Sequence, residues 1–189
     1  MAIRLIAGPG EEPITLDEAK LHLRVDVTAE DTLINGLIIA ARQAAEQATG
    51  RALMQQTWEL ALDCFPDEIR LQMPPLQSVS SVKYLDQDGV LQTLATSEYL
   101  VNDYKEPARI VLAYGKSWPS TRDQENAVLV RFVAGYADAD AVPQEIKQWM
   151  LMLIGSMYAN RERETVGSAA AVELGFVDRL LDAYRVWGM

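Results

Sequence analysis

The side chains able to do chemistry are few in this chain and badly matched to one another. Cys64 and His22 are its only thiol and its only imidazole. A Cys–His nucleophile needs the two groups within hydrogen-bond reach and a third to orient the base. Here Cys64 closes an alternating, strand-like run, while His22 lies far upstream in a helical one. A single cysteine and a single histidine also leave no zinc-ligand cluster and no internal disulfide. Asp86, Asp88 and Gly89 suggest a calcium loop. Aligning Gly89 with the glycine of such a loop, however, places Tyr84 at the first ligand position and Ala95 at the bidentate glutamate. The adjacent carboxylates Glu11-Glu12, Asp17-Glu18 and Glu30-Asp31 do not face each other on a helix, so they make poor acid–base pairs. They read as caps and solvated faces. Gly8-Pro9-Gly10 shows neither a preceding strand nor the GK[ST] that follows in a phosphate loop. No set of nucleophile, base and oxyanion donor can be assembled. The expectation is a protein with no catalytic residue, no metal ligand and no cofactor.

Composition narrows the classes further. At 189 residues the chain fits one domain, or one domain with an inserted module. Asp and Glu number 27 against 17 Lys and Arg, a formal charge of −10, which argues against gripping nucleic acid through its phosphates. The longest apolar run, Trp149 to Ile154, is far short of a membrane span, and the first residues, MAIRLIAGPGEEP, carry no signal-peptide pattern. A soluble protein made in the cytoplasm, in an intracellular or capsid-type setting, is expected.

With no chemistry to position, the elements are of interest for the faces they bury. Residues 1–14 read as an extended, partly mobile leader. Thr15 stands three residues before Glu18, the spacing of a capping box, so a short helix should run from Leu16 to Leu23 with Leu16, Ala19 and Leu23 on one face and His22 off it. Thr28, followed by Glu30 and Asp31, predicts the cap of a second, longer helix that Thr49-Gly50 stops. Its apolar stripe is Leu33, Ile34, Leu37, Ile38, Ala41, Ala44, Ala45 and Ala48. At about 100° per residue, Ile39 falls among Asn35, Arg42, Gln43 and Glu46 on the face that should meet water. Ile39, with Arg42 and Glu46 around it, is either a subunit contact or a singly exposed aliphatic, which is ordinary.

The period then changes from helical to alternating. Strands are expected at Thr57–Asp63, Ile69–Met73, Val82–Tyr84, Val90–Leu94, Tyr99–Val101, Ile110–Leu112 and Val128–Val133, with Gly89 supplying the positive φ of a hairpin turn. Pro143 opens a helix to about Asn160, whose stripe of Ile146, Trp149, Met150, Leu153, Ile154 and Met157 should pack on the second helix. Core packing also accounts for its methionines and tryptophan without a cofactor. Arg161 to Glu164 ends the pattern, Thr165 to Gly175 reads as a hinge, and Phe176, Val177, Leu180, Leu181, Tyr184 and Trp187 form a last amphipathic segment. That segment is too short to hold as a free helix, so it must dock on its own domain or on another chain. The fold class is α+β, a mainly helical core of three principal helices with an inserted antiparallel β module and a C-terminal amphipathic arm. The expected divisions are 1–14 leader, 15–54 and 142–164 helical core, 55–136 β-rich insertion, and 165–189 hinge and arm.

The wording of the chain adds a family likeness. ITLDEAKLHLRVD, then EDTLINGLIIAARQAAEQATGRALMQQTWEL, PPLQSVSSVKYLDQDGV and VRFVAGYADADAVPQEIKQWMLMLIGSMYANRE, in that order, resemble head–tail connector proteins of tailed phages, of the gp6-like and phiE125 gp8-like type. The likeness runs from about Ile14 to Arg163, with an echo in VDRLLDAYRVW. It implies an adaptor in the virion neck: a homo-oligomeric ring of twelve copies beneath the portal protein. Double-stranded DNA passes through without sequence-specific binding, and a stopper or tail-completion protein binds the far side. It further implies that a C-terminal arm reaches the portal, a role that falls here on Phe176, Leu180, Leu181, Tyr184 and Trp187. Glu11, Glu12, Glu30 and Asp31 are then candidates to line an acidic channel that repels the phosphate backbone. Two other classes compete. A DNA-packaging component of small-terminase type needs a basic face, and a carboxylate hydrolase needs a facing acid pair.

Overall fold

The structure is a computed structural model, and the residues it describes are 1–160 and 175–186. The capping box forms: the Thr15 hydroxyl accepts from the Glu18 backbone N–H at 3.2 Å, and a Glu18 carboxylate oxygen accepts from the Thr15 backbone N–H at 2.7 Å. Helix α1 runs Leu16–Leu23 behind it and buries Ala19 completely. The Thr15 backbone N–H first, and the Thr15 hydroxyl that also donates to the same carboxylate, hold the Glu18 carboxyl below its usual range against the opposing effect of burial. Thr15→Ala should therefore lower stability by about 1 kcal/mol, as read from urea unfolding; an unchanged midpoint would show that the turn holds without its cap.

Helix α2 runs Asp31–Thr49 and ends at Gly50, whose φ of 70° is the left-handed stop expected there. Its start differs from expectation. Glu30 is the N-cap without a side-chain cap, and Thr28 contributes only its carbonyl, which accepts from the Asp31 N–H at 3.2 Å. The Asp31 carboxylate is drawn instead to Lys20 of α1 at 2.7 Å, a tertiary partner that the local pattern does not show. Helix α3 runs Gln144–Ala159 with Pro143 as its N-cap rather than its first helical residue. Ile34, Ile38, Ala41 and Ala45 of α2 meet Ile146, Met150 and Ile154 of α3 in one core, whereas Leu33 and Ala48, expected on the same stripe, lie exposed at its edges.

The strands form two antiparallel sheets. One has five strands in the order β1-β2-β8-β4-β5, with β1 Ala2–Ala7, β2 Gln56–Leu62, β4 Leu76–Leu85, β5 Leu91–Thr93 and β8 Val128–Ala134. The other has three, β3-β7-β6, with β3 Glu68–Leu71, β6 Tyr99–Asn102 and β7 Ala108–Leu112. Leu60, Val82, Val130 and Phe132 of the first sheet share a second core with Ile69, Leu71, Tyr99 and Ile110 of the other. Gly89, at φ 82°, closes the β4–β5 hairpin as the turn chemistry predicts.

The order of strands explains how so long an insertion leaves the helical core closed. The first and last strands of the module, β2 and β8, are neighbours, with Gln56 opposite Ala134. The chain therefore leaves α2 and returns to α3 at adjacent points. The leader is corrected: Ala2–Ala7 is not free but pairs with β2 as the edge strand of the larger sheet, Ile3 opposite Leu60. Gly8-Pro9-Gly10 thus follows a strand after all, and what still separates it from a phosphate loop is the missing GK[ST].

The C-terminal segment docks on its own domain. Residues Gly175–Asp178 form a short helix, α4, and Arg179–Tyr184 continue as 3-10 helix. Leu181 is buried in the α2–α3 core, and Val177, Leu180 and Tyr184 pack against it. Polar contacts fix the segment: the Trp149 indole N–H donates to Asp178 at 3.1 Å, the Tyr184 hydroxyl to Glu145 at 2.9 Å, and the Val186 N–H to the Thr49 carbonyl at 2.8 Å. The charge run Arg161–Glu164, the hinge up to residue 174, and Trp187 lie outside the described residues.

Candidate functional site

The residues expected to flank Ile39 on the water-facing side of α2 separate into two groups. Ile39 is exposed at 42%, whereas Arg42 and Glu46 are buried at 6% and 8%. That corrects the reading of Arg42 and Glu46 as solvent-facing subunit contacts. Three other segments close over them. Arg42 Nε donates to Glu12 of the leader at 2.7 Å and Nη1 donates to Glu46 at 2.8 Å. Glu46 also accepts from the Leu53 backbone N–H at 3.0 Å and from the Gln56 side-chain amide. Burial raises the Glu46 carboxyl above its ordinary value, with the Leu53 N–H, Arg42 and Gln56 pulling against that rise. The network joins the leader, α2, the link that follows it and the first residue of β2, so it fastens the helical core to the β module.

The four acidic residues singled out for a channel are also mostly engaged within the chain. Glu12 holds Arg42, Asp31 holds Lys20, and Glu30 accepts from the Tyr158 hydroxyl. Glu11 is exposed. Several basic side chains are matched in the same way: Arg4 and Arg131 converge on Glu59 at 2.5 and 2.7 Å, Arg70 and Arg109 on Glu68 at 2.9 and 2.6 Å, and Lys116 on Glu98 at 2.9 Å. Burial works against the Glu59 charge, but the hydrogen bonds from Arg131 and Arg4 outweigh it and hold that carboxyl below its usual range.

The rejected calcium loop finds its carboxylate occupied. Asp86 accepts from the Gln92 amide at 2.8 Å and from the Val90 and Asp88 backbone N–H groups at 2.9 and 3.1 Å, which lowers its pKa and ties the hairpin shut. Among the described residues, no cluster of three His, Cys, Asp or Glu could hold a metal ion, and no helix is long and apolar enough to cross a membrane. Of the proposed arm, Leu180, Leu181 and Tyr184 lie against the helical core. The candidate site that remains is a surface.

The family model of the phage gp6-like head–tail connector protein matches residues 13–106. A comparison with curated proteins finds no match. Among solved structures, the chain is similar to one in the virion of a native gene transfer agent particle, at 24% identity and TM-score 0.82, covering 100% of this chain and 97% of that one. A chain in the neck of an empty gene transfer agent particle, computed with C6 symmetry, gives 24% identity and TM-score 0.81 over the same shares. One in the neck of the native particle, computed with C12 symmetry, gives 21% and 0.75, again over 100% and 97%. At these identities the likeness is one of fold.

Proposed function

Because the chain belongs to the phage gp6-like head–tail connector family, a family of structural proteins and not of enzymes, we propose that it is a subunit of a ring in the neck of a tailed phage or prophage particle. The observation that carries the proposal is the family match across residues 13–106, which spans α1, α2 and most of the β module. Support comes from the neck assemblies that hold chains of the same fold, computed with C12 and C6 symmetry. Twelve copies beneath the portal protein, a stopper or tail-completion protein on the far side, and double-stranded DNA passing through complete the reading. Synthesis in the host cytoplasm goes with it.

The electrostatics support passage of DNA over its capture. A net charge of −10 repels phosphate, and Arg4, Arg131, Arg70 and Arg109 each have a carboxylate of this chain as partner. Electron microscopy of the purified chain mixed with its portal should show a twelve-fold ring at one end of the portal. Portal alone beside dispersed monomers would overturn the proposal, and a salt-dependent shift of duplex DNA would favour a packaging role.

Leu181 and Tyr184 hold the arm on the helical core, and the portal contact is assigned to Phe176 and Trp187. Phe176→Ala with Trp187→Ala should weaken co-purification with portal about tenfold, the loss of about 1.4 kcal/mol, and leave the melting curve unshifted. Undiminished co-purification would remove the arm from portal binding.

A further inference from the structure

The outward face of α2 carries no charge, and the folded chain makes it so. The helix has three charged side chains, Asp31, Arg42 and Glu46. Asp31 is bound by Lys20, while Arg42 and Glu46 are buried with Glu12 and Gln56. Every residue of α2 left exposed is uncharged, among them Leu33, Gly36, Ile39, Ala40, Gln43 and Gln47. At about 100° per residue these six lie within one arc of about 120°, along a helix about 28 Å long. In a chain with 23% charged residues, most of them at the surface, an outward face without one is a departure.

We infer that this face of α2 is where a second copy of the chain docks, in the ring proposed above. Copies that each carry −10 repel, so the surface on which they meet must keep carboxylates out of a contact that water leaves. Leu33 and Ile39, exposed at 39% and 42%, supply apolar area, and Gln43 and Gln47 supply hydrogen bonds that need no counterion. A closed ring is built from head-to-tail contacts, so the face meets a different surface of the next copy.

Gly36 points the same way. Glycine in the middle of a helix weakens it relative to alanine, and here nothing among the described residues accounts for its presence: a Cβ built at Gly36 meets none of them within 4 Å. Among the described residues the space above Gly36 is open, and it allows another backbone or side chain to approach closely.

The test uses the full chain, with Gly36→Ala, Gly36→Leu and Ile39→Glu. The open space predicts that both Gly36 variants melt at or above the wild-type temperature. Light scattering and electron microscopy with portal should show rings for wild type, fewer for Gly36→Ala, and at least tenfold fewer for Gly36→Leu and Ile39→Glu. Rings formed by both of those at wild-type yield would overturn the inference alone, leaving α2 to face the channel or another neck protein. A wild-type chain that forms no ring would overturn the ring reading, and the inference with it.

Discussion

Glu46→Ala should cost the folded chain about 3–5 kcal/mol, the range for removing one partner of a buried ion pair. The alanine would orphan three donors at once: an Arg42 guanidinium N–H, the Leu53 backbone N–H and the Gln56 amide. Arg42 keeps Glu12, but Glu12 is half-exposed and lies on the leader, so it cannot neutralise a charge buried to 6% as Glu46 does. Urea unfolding at neutral pH measures the loss; a change under about 1 kcal/mol would mean that water reaches the site and replaces the carboxylate. A pH series separates charge from packing. Burial raises the folded Glu46 pKa, so between the unfolded value and the folded one the native state binds more protons, and this group's contribution to stability falls as pH rises. Glu18, Glu59 and Glu68 are held low and act in the opposite direction, losing their contribution as pH falls. Glu46→Gln should abolish only the first trend, so the difference between its stability and that of wild type should change with pH from the ordinary glutamate range upward. A pH-independent difference would show that burial does not perturb Glu46.

Gly135→Ala should be as damaging, for a reason of backbone geometry. Gly135 has φ 113°, outside the range that L side chains adopt, and its Cβ would lie 1.9 Å from the Met54 carbonyl oxygen. That oxygen belongs to the main chain between α2 and β2, so it cannot swing aside as a side chain would. Gly135 is also tied on both sides: its N–H donates to the Pro75 carbonyl at 2.8 Å, and its carbonyl accepts from the Gln77 amide at 2.8 Å. A loss of about 3 kcal/mol or more is expected, visible as a lowered melting temperature and a smaller soluble yield. Gly115→Ala is the matched control. Gly115 has φ 74° but open space around it, so only the cost of the left-handed backbone remains, about 1–2 kcal/mol. Equal losses for the two would mean that the Met54 contact relaxes.

Much of the architecture was legible because local rules wrote it. Thr15 and Glu18 form their reciprocal cap within one turn, Gly50 and Gly89 adopt the left-handed backbone their positions call for, and the stripes on α2 and α3 need only each other. Alternation over Thr57–Asp63 and Val128–Val133 located β2 and β8 to within a residue at either end.

What failed was decided by partners far away in the chain. A helical wheel places Arg42 and Glu46 beside Ile39, and it is correct about the angle; the wheel cannot contain Glu12, Leu53 and Gln56, which arrive from the leader, from the link after α2 and from the next strand to cover them. The leader read as free because β2, its partner, begins at Gln56. The closing segment read as ready to dock, and Leu181 shows on what: the groove of its own helices, a surface that exists only once α2 and α3 have packed. The order of residues alone determined the helices, the strands and the turns, because those follow from neighbours within a few positions. Tertiary structure alone decided which charges are hidden and so which helix face stays neutral, because burial is set by whatever the fold brings over a residue.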